Sequence, residues 1–405
     1  MPRSGGAVIP MPQNFSDLQY VIGDAERLSA MASLRPLRPF DEAVLSFFSD
    51  LSAMLRTDRT YPDIATFGFW CRKAALMQEK EKYDDLAERF GKGTVLHSTP
   101  SNVPVNFAFS FAAGLLAGNA NIVRLPAKDF PQVTVICDAI RTLLANQHSA
   151  LAPYVCFVKF PPDKEITDML SARCAVRVIW GGDATVAEIR RSPLPPRAGE
   201  ITFADRHSAA VIDADAYLCA ENKDLIVQNF YNDTYYTDQN ACTSPRFVFW
   251  QGAHTAEAKA DFWERVHRTV REKYTLRPVQ AVGKLQALCK AAAQKPMSLT
   301  KSEDLYVMRV TPEQLDSDLP DFKYNSGFFF EKEISDLCEI LPVCGTRCQT
   351  LSYYGVKKED LAAFLEKGRP FGIDRIVPIG KTMDFALIWD GCDLIRQMSR
   401  RVTIL

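Results

Sequence analysis

The chain carries almost no net charge, no paired-cysteine motif and no long apolar run, and each shortage removes a class of function. Its 48 Lys+Arg against 49 Asp+Glu leave a formal net charge of -1, which gives no electrostatic footprint for nucleic acid. The 11 cysteines are an odd number without a Cys-x-x-Cys pair, as expected for reduced thiols in the cytoplasm rather than for a disulfide framework. Cys338, Cys344 and Cys348 cluster, but no histidine lies near them in sequence and their spacing matches no common zinc pattern, so no metal is expected. The longest apolar stretch, Val103 to Ala117, is broken by Asn106 and falls short of the roughly 20 residues a membrane-spanning helix needs. It reads as a buried helix. The opening Met1-Pro2-Arg3-Ser4-Gly5-Gly6 lacks the apolar core of a signal peptide, and there is no internal repeat or low-complexity tail.

What is there suits a two-domain α/β protein, since 405 residues exceed one ordinary core and predict two domains of roughly 200 residues each. Residues 14 to 92 place apolar positions at helical spacing, which predicts a helical layer. From 93 to 180 strand-like runs alternate with helix-like ones: strands at 93–97, 121–125, 155–158 and 176–180, helices at 105–117, 131–148 and 164–171. That alternation predicts a parallel, doubly wound sheet. The proline-rich Ser192-Pro193-Leu194-Pro195-Pro196-Arg197 interrupts it and puts a hinge near 200 to 206. Residues 221 to 375 again mix helix (225–231, 254–273, 282–294) and strand (247–250, 305–310, 328–330). The expected division is therefore 1–205, 206–380 and a C-terminal segment 381–405 that packs back on the body or forms an oligomer interface.

The most informative residues are Asp238-Gln239-Asn240-Ala241-Cys242-Thr243-Ser244-Pro245-Arg246, a thiol among small and polar neighbours just before the apolar run Phe247-Val248-Phe249-Trp250. A cysteine so placed reads as a nucleophile. Only the thiolate attacks well, and an unperturbed thiol is only about 3% ionised at neutral pH, so the site should lower its pKa. Two further clusters, His97-Ser98-Thr99-Pro100-Ser101-Asn102-Val103-Pro104 and Trp180-Gly181-Gly182-Asp183-Ala184-Thr185, each follow a short strand and precede a helix. Together the three clusters suggest a thioester enzyme with a nucleotide cofactor. His97 and His207 read as satisfied interior histidines.

Four ordered motifs extend this: Pro100 through Phe107, Leu116 through Arg124, Tyr231-Asn232-Asp233-Thr234 through Cys242, and Phe371 through Gly380. On these the chain resembles, from about 90 to 395, the acyl-CoA reductases related to the fatty-acid reductase subunit of bacterial luminescence operons, within the aldehyde dehydrogenase superfamily. The resemblance implies an aldehyde dehydrogenase-like fold of two doubly wound α/β domains behind a helical N-terminal layer. It also implies NADPH-dependent reduction of a long-chain fatty acyl thioester, acyl-CoA or acyl-protein, to a fatty aldehyde through an S-acyl-cysteine.

In that scheme Cys242 is the nucleophile, and Asn102 holds the oxyanion with its side-chain amide; losing such a donor typically costs about 3 kcal/mol of barrier. Gly181, Gly182 and Thr185 form the glycine turn that takes a cofactor phosphate, with Ser101 beside it. No Gly-x-Gly-x-x-Gly is present, as expected for a superfamily that binds its dinucleotide differently. Arg124 and Lys128 lie where the superfamily places a basic residue on the adenosine ribose. Two cations there suit a 2'-phosphate and tilt the expectation to NADPH, with NADH as the alternative. Glu333, with Glu331 close behind, is the expected acid/base.

The stretch that matches the water-activating glutamate of hydrolytic relatives is Ile201-Thr202-Phe203-Ala204-Asp205-Arg206, with Thr202 near that position and Glu200 or Asp205 as potential substitutes. This favours thioester reduction over its rivals, an aldehyde dehydrogenase working oxidatively or a cofactor-free cysteine acyltransferase or thioesterase. The resemblance further implies an acyl-protein synthetase partner and homo-oligomers. The aromatics of Met383 through Gly391 are expected to pack in the catalytic domain or line an acyl tunnel.

Overall fold

The computed structural model describes residues 18–101, 103–300, 302 and 304–404. It resolves the chain into two units, Met1–Ala204 with Cys392–Leu405, and Asp205–Gly391. The break after Ala204 falls inside the stretch read as a hinge. Cys392–Leu405 returns to the first unit, whereas 381–391 stays with the second, so the expected segment 381–405 is split.

The first unit opens with a short strand, β1 (Gln19–Ile22), then helices α1 (Ala25–Ala30), α2 (Glu42–Leu55), α3 (Pro62–Trp70) and α4 (Lys73–Lys80). Asp41 caps α2 by accepting the Ala43 N–H at 2.9 Å, and Val44, Leu45, Phe47, Phe48 and Leu51 turn one face inward at helical spacing. After β2 (Arg89–Gly91) come β3 (Thr94–Ser98), α5 (Asn106–Leu116), β4 (Ala120–Arg124), α6 (Pro131–Ala145), β5 (Val155–Lys159), α7 (Lys164–Ser171), β6 (Val176–Trp180), α8 (Asp183–Arg190) and β7 (Gly199–Phe203). Helix α5 is the apolar run of the sequence, buried on nearly every side. The sheet order is β1-β5-β4-β3-β6-β7, parallel except for β1, which pairs antiparallel with β5. Connections run outward from β3 in both directions, so the strand order reverses between β3 and β6, and their carboxyl ends frame a crevice of the kind that binds ligands in open α/β sheets. A short strand, Ser399–Arg401, pairs antiparallel with β2.

The second unit contains β8 (His207–Asp213), α9 (Ala214–Leu218), α10 (Lys223–Asp233), β9 (Pro245–Gln251), α11 (Thr255–Lys273), α12 (Pro278–Ala292), β10 (Met297–Leu299), β11 (Met308–Pro312), β12 (Phe328–Glu333), β13 (Cys348–Tyr354), α13 (Lys358–Gly368) and β14 (Arg375–Pro378). Its sheet order is β10-β11-β12-β9-β8-β13-β14, all parallel but β10. Alternate residues feed two cores: Phe247, Phe249, Phe328 and Phe330 on one face, Val248, Trp250 and Phe329 on the other. A strand buried on both faces must be apolar throughout, which is why β9 reads as a continuous hydrophobic run.

Candidate active site

In the second unit Cys242 lies in the turn between α10 and β9, at the amino edge of the parallel sheet. The turn is held by buried polar groups. Asp238 and Gln239 adopt left-handed backbone, φ 53 and 52, a conformation that costs non-glycine residues about a kcal/mol unless their surroundings enforce it. Here they do: Asp238 accepts from Tyr274 Oη at 2.5 Å, Gln280 Nε2 at 2.7 Å and Ser326 Oγ at 2.7 Å. Gln239 donates to the Pro245 carbonyl at 3.0 Å and accepts the Gly327 N–H at 2.7 Å. The buried Arg246 guanidinium donates to the carbonyls of Tyr324 and Gln239 and to Asn325 Oδ1. Ser208 Oγ, at the start of β8, donates to the Cys242 carbonyl at 2.8 Å.

Cys242 itself is partly exposed. Burial of the thiol nevertheless pushes its pKa up to about 12, and the Asp390 carboxylate adds to the rise. The Arg206 guanidinium and the backbone N–H groups of Cys242 and Thr243 pull the other way without overcoming it. The sequence expectation of a lowered thiol pKa is therefore not met by the protein alone; the desolvation outweighs its cations.

The residues gathered near this thiol come from remote segments. Arg206 precedes β8 and pairs with Asp374 at 2.6 Å; Gln349 lies on β13 and donates to Asp390. Arg375 opens β14 with its guanidinium 4.3 Å over the Trp389 ring. None of these was singled out as a site residue from sequence, because no local pattern links them.

Glu333 is not among them. It ends β12 level with Trp250, the far end of β9, because β9 and β12 run parallel in the register Phe330 with Phe247 and Glu333 with Trp250. Five strand steps, roughly 17 Å, separate that level from Pro245 at the start of β9. Glu333 is half exposed and pairs with Lys259 at 2.9 Å, whose hydrogen bond holds its carboxyl below the usual range. Glu331 is 1% exposed and accepts both indole N–H groups, Trp250 at 2.9 Å and Trp263 at 2.5 Å, with Arg309 at 3.4 Å. It is a satisfied structural carboxylate. The sheet thus places both glutamates away from Cys242, where the acid/base expectation puts Glu333.

In the first unit the expected cofactor residues share one edge. Ser101 follows β3, Gly181 and Gly182 follow β6, and Arg124 and Lys128 stand at and beyond the end of β4, so all lie at the carboxyl side of the sheet around the β3/β6 reversal. Asn102 lies outside the described residues. Thr99 Oγ1 donates to the Arg124 carbonyl at 2.6 Å and Ser101 Oγ accepts the Ala127 N–H at 3.4 Å, tying the two loops together. A Cβ at Gly182 would meet nothing within 4 Å, whereas one at Gly181 would press on Thr185 at 3.1 Å. The glycine backbone is open to a close-lying group. Asp183 in the first turn of α8 partly satisfies that helix end, so an anion would rest on the glycine amides. Arg124 has its guanidinium 4.5 Å over the Phe160 ring and donates to the Phe160 carbonyl at 3.3 Å, while Lys128 is exposed with its ammonium 5.0 Å from the Phe130 ring.

Glu200 and Asp205, the carboxylates near the place of the water-activating base, are engaged. Glu200 binds Arg177 at 2.5 Å and Arg190 at 2.7 Å, and Asp205 binds Lys323 at 3.0 Å. His97 and His207 are buried and bonded, His97 to Ser110 and Asn121, His207 to the Val343 carbonyl at 2.9 Å. Among the described residues no group of three His, Cys, Asp or Glu is placed to hold a metal, and no helix is long and apolar enough to cross a membrane.

A family model described as acyl-CoA reductase (LuxC) matches residues 22–304, more than half of the chain. The chain belongs to this acyl-CoA reductase family. A curated relative, the long-chain acyl-protein thioester reductase of Vibrio harveyi, is 25% identical over 179 residues, 44% of this chain and 36% of that protein. The match thus spans about a third of the relative's length. Among solved structures, an oxidoreductase from Marinobacter aquaeolei superposes with a TM-score of 0.66 at 11% identity, over 93% of this chain and 89% of that one. Lactaldehyde dehydrogenase from Escherichia coli does so with 0.59 at 13% identity, over 94% and 86%. At such identities the likeness establishes the fold, which is that of aldehyde dehydrogenases. Within this chain the family match includes Cys242 and the carboxyl edge of the first unit, and stops before Glu331, Glu333 and Asp390.

Proposed function

We propose that the protein reduces a long-chain fatty acyl thioester to the aldehyde with NADPH, through an S-acyl intermediate on Cys242. The observation that carries the reading is Cys242 itself, in a turn fixed by the Asp238, Gln239 and Arg246 network whose Cys242 and Thr243 amides favour the charged thiol, in a chain of acyl-CoA reductase descent. Cys242 displaces the donor thiol from the acyl carbonyl, and the acyl group is then held on its sulfur. Glu200 and Asp205 are both spent in ion pairs, which supports reduction over hydrolysis.

The residues at the carboxyl edge of the first unit fit a dinucleotide: an open Gly182, the Gly181 and Thr185 turn, and Ser101 on the adjoining loop. A bound nicotinamide would supply the hydride that turns the acyl group into an aldehyde. The exposed Lys128 and, with one donor already used by Phe160, Arg124 would meet a 2'-phosphate, which is the basis for NADPH over NADH. The donor is an acyl-CoA or an acyl-protein; the curated relative's name favours trying both.

The test is intact mass of the protein after tetradecanoyl-CoA alone, followed by nicotinamide absorbance on addition of NADPH, with Cys242→Ala as control. An acyl adduct on the wild type alone, then loss of NADPH and release of aldehyde, is the expected result. An adduct that consumes neither NADPH nor NADH would leave an acyltransferase or thioesterase instead.

A further inference from the structure

A buried carboxylate that the scheme above leaves idle lies at the same amino edge of the second unit as Cys242: Ser208, which donates to the Cys242 carbonyl at 2.8 Å, is two residues along from Arg206, whose guanidinium stands 3.8 Å from Asp390. Asp390 has a side chain only 6% exposed, and both it and Gly391 are held in left-handed backbone, φ 50 and 71. A non-glycine residue in that region marks a conformation that its surroundings impose, and such strain clusters at functional sites. Fully buried Gln349 on β13 donates its amide Nε2 to Asp390 Oδ1.

The other charged groups that face Asp390 are Arg206, Asp374, Arg375 and Cys242. Arg206 Nη1 stands 3.8 Å from Asp390 Oδ2 but 2.6 Å from Asp374, and the same guanidinium donates to the carbonyls of Cys348 and Gly372. Its charge is therefore committed mainly elsewhere, and Asp374 offsets part of it. Asp390 is left as a desolvated carboxylate with one neutral donor on it. Two buried polar atoms beside it, Gln349 Oε1 and Arg206 Nε, have no hydrogen-bond partner among the described residues. Native proteins rarely leave such atoms unpaired, and the amide or carbonyl groups of an acyl donor are able to satisfy them.

We propose that Asp390 is the base that takes the Cys242 proton as the sulfur attacks the acyl carbonyl, and that Gln349 is the residue that positions its carboxylate. This rests on the acyl transfer to Cys242 proposed above. The Cys242 S–H bond breaks as its sulfur forms a bond to the carbonyl carbon, and the proton goes to Asp390. The tetrahedral adduct then collapses, the carbon–sulfur bond to the donor breaks, and Asp390 returns the proton to the departing thiolate. No oxidant or reductant enters, and the donor leaves as a free thiol. Burial raises Asp390 to about 6 while the Cys242 thiol stands at about 12. A resting thiol so hard to ionise must lose its proton during attack, and a base with a pKa near the working pH is suited to take and return it.

The static field of Asp390 and its role as a base make opposite predictions. As a fixed negative charge, Asp390 disfavours the thiolate, so its removal would make Cys242 more reactive. As a base, its removal slows transfer.

The experiment measures the acylation rate of Cys242 by quenched intact mass, with tetradecanoyl-CoA and no nicotinamide, from pH 5 to 8. The wild-type rate should rise through an inflection near pH 6. Asp390→Asn should be acylated at least about 100-fold more slowly and lose that inflection, Asp390→Glu should recover part of the rate, and Gln349→Leu should move the inflection upward because the carboxylate loses its donor. Acylation of Asp390→Asn as fast as or faster than wild type would overturn the proposal. Should that variant not fold, a wild-type profile without an inflection between pH 5 and 7 overturns it equally. A wild type that forms no S-acyl adduct at any pH, with acyl-CoA or acyl-protein, would sink the underlying reading and this one with it.

Discussion

Replacing His97 with glutamine should change how the protein's stability responds to acid. His97 is fully buried on β3, with Nδ1 2.7 Å from Ser110 Oγ and Nε2 3.0 Å from Asn121 Oδ1, and Trp180 Nε1 reaches the same Ser110 hydroxyl at 2.9 Å. Burial lowers its pKa from 6.5 to about 4. Between those values the unfolded chain binds a proton that the folded chain refuses, so stability is present above the unfolded value and is lost as pH falls toward the folded one. Linkage makes the loss from pH 7 to pH 5 about 2 kcal/mol. Glutamine keeps a donor and an acceptor but cannot titrate. At pH 7 His97→Gln should be less stable by roughly 1–3 kcal/mol, because Ser110 and Asn121 are satisfied imperfectly, and at pH 5 that gap should narrow by about 2 kcal/mol. Urea unfolding of both proteins by tryptophan fluorescence at the two pH values measures it. Only the difference is informative: Asp233 and Asp390, both raised to about 6 by burial, titrate in the opposite sense in both proteins and lose stability as pH rises through that value. A gap that stays constant or widens on acidification would refute the reasoning.

Three further outcomes are expected. Glu333→Gln should keep the acylation rate within about twofold and cost at most about 1 kcal/mol, since it removes only a half-exposed ion pair with Lys259; a loss of a hundredfold or more would return Glu333 to the mechanism. Gly327→Ala should destabilise by more than about 2 kcal/mol on thermal or urea unfolding, because φ is +84 and the new Cβ would lie 2.3 Å from Tyr235 Oη and 2.4 Å from the Tyr306 carbonyl. Lys128→Ala should raise the KM for NADPH about tenfold and leave NADH unchanged, as loss of one charge-assisted contact would; equal effects on both cofactors would remove the 2'-phosphate argument.

What could be read from the sequence follows from how local each signal is. Helix α7, Lys164–Ser171, and strand β6, Val176–Trp180, lie where the periodicity puts them, since a buried parallel strand must be apolar throughout and a capping Asp163 marks the helix start. Strand β1 lies in a stretch that reads as helical, because four edge residues take their conformation from pairing with β5, more than a hundred residues away. The Cys242 turn is legible because small polar residues around a thiol, just before an apolar strand, form a continuous pattern. Asp390, Gln349 and Arg206 are not, for they belong to three separate segments that only the β8-β13-β14 pairing brings to one edge. Glu333 was misplaced for a related reason. A charged strand end has no sign of which sheet edge it will occupy, and parallel pairing puts the end of β12 opposite the end of β9 rather than its beginning.

That difference of edge bears on the chemistry. Binding sites of open α/β sheets usually lie beyond the carboxyl ends of the strands, where helix N-termini offer positive potential, and the glycine turn of the first unit lies at that edge. Cys242 lies at the amino edge, ahead of β9, where the preceding helix α10 presents its C-terminus rather than an N-terminus. Arg206 and the backbone amides of Cys242 and Thr243 are the main offsets among the described residues, and they fall short of the desolvation that raises the thiol to about 12. A nucleophile kept protonated at rest resists adventitious alkylation and oxidation, which act on thiolates, but it cannot attack without a partner for its proton. The sequence offers glutamates for that task at the wrong edge. The structure puts Asp390, with Gln349 on its carboxylate, at the right one, so the amino-edge placement of the cysteine and the buried acid beside it are two halves of one arrangement.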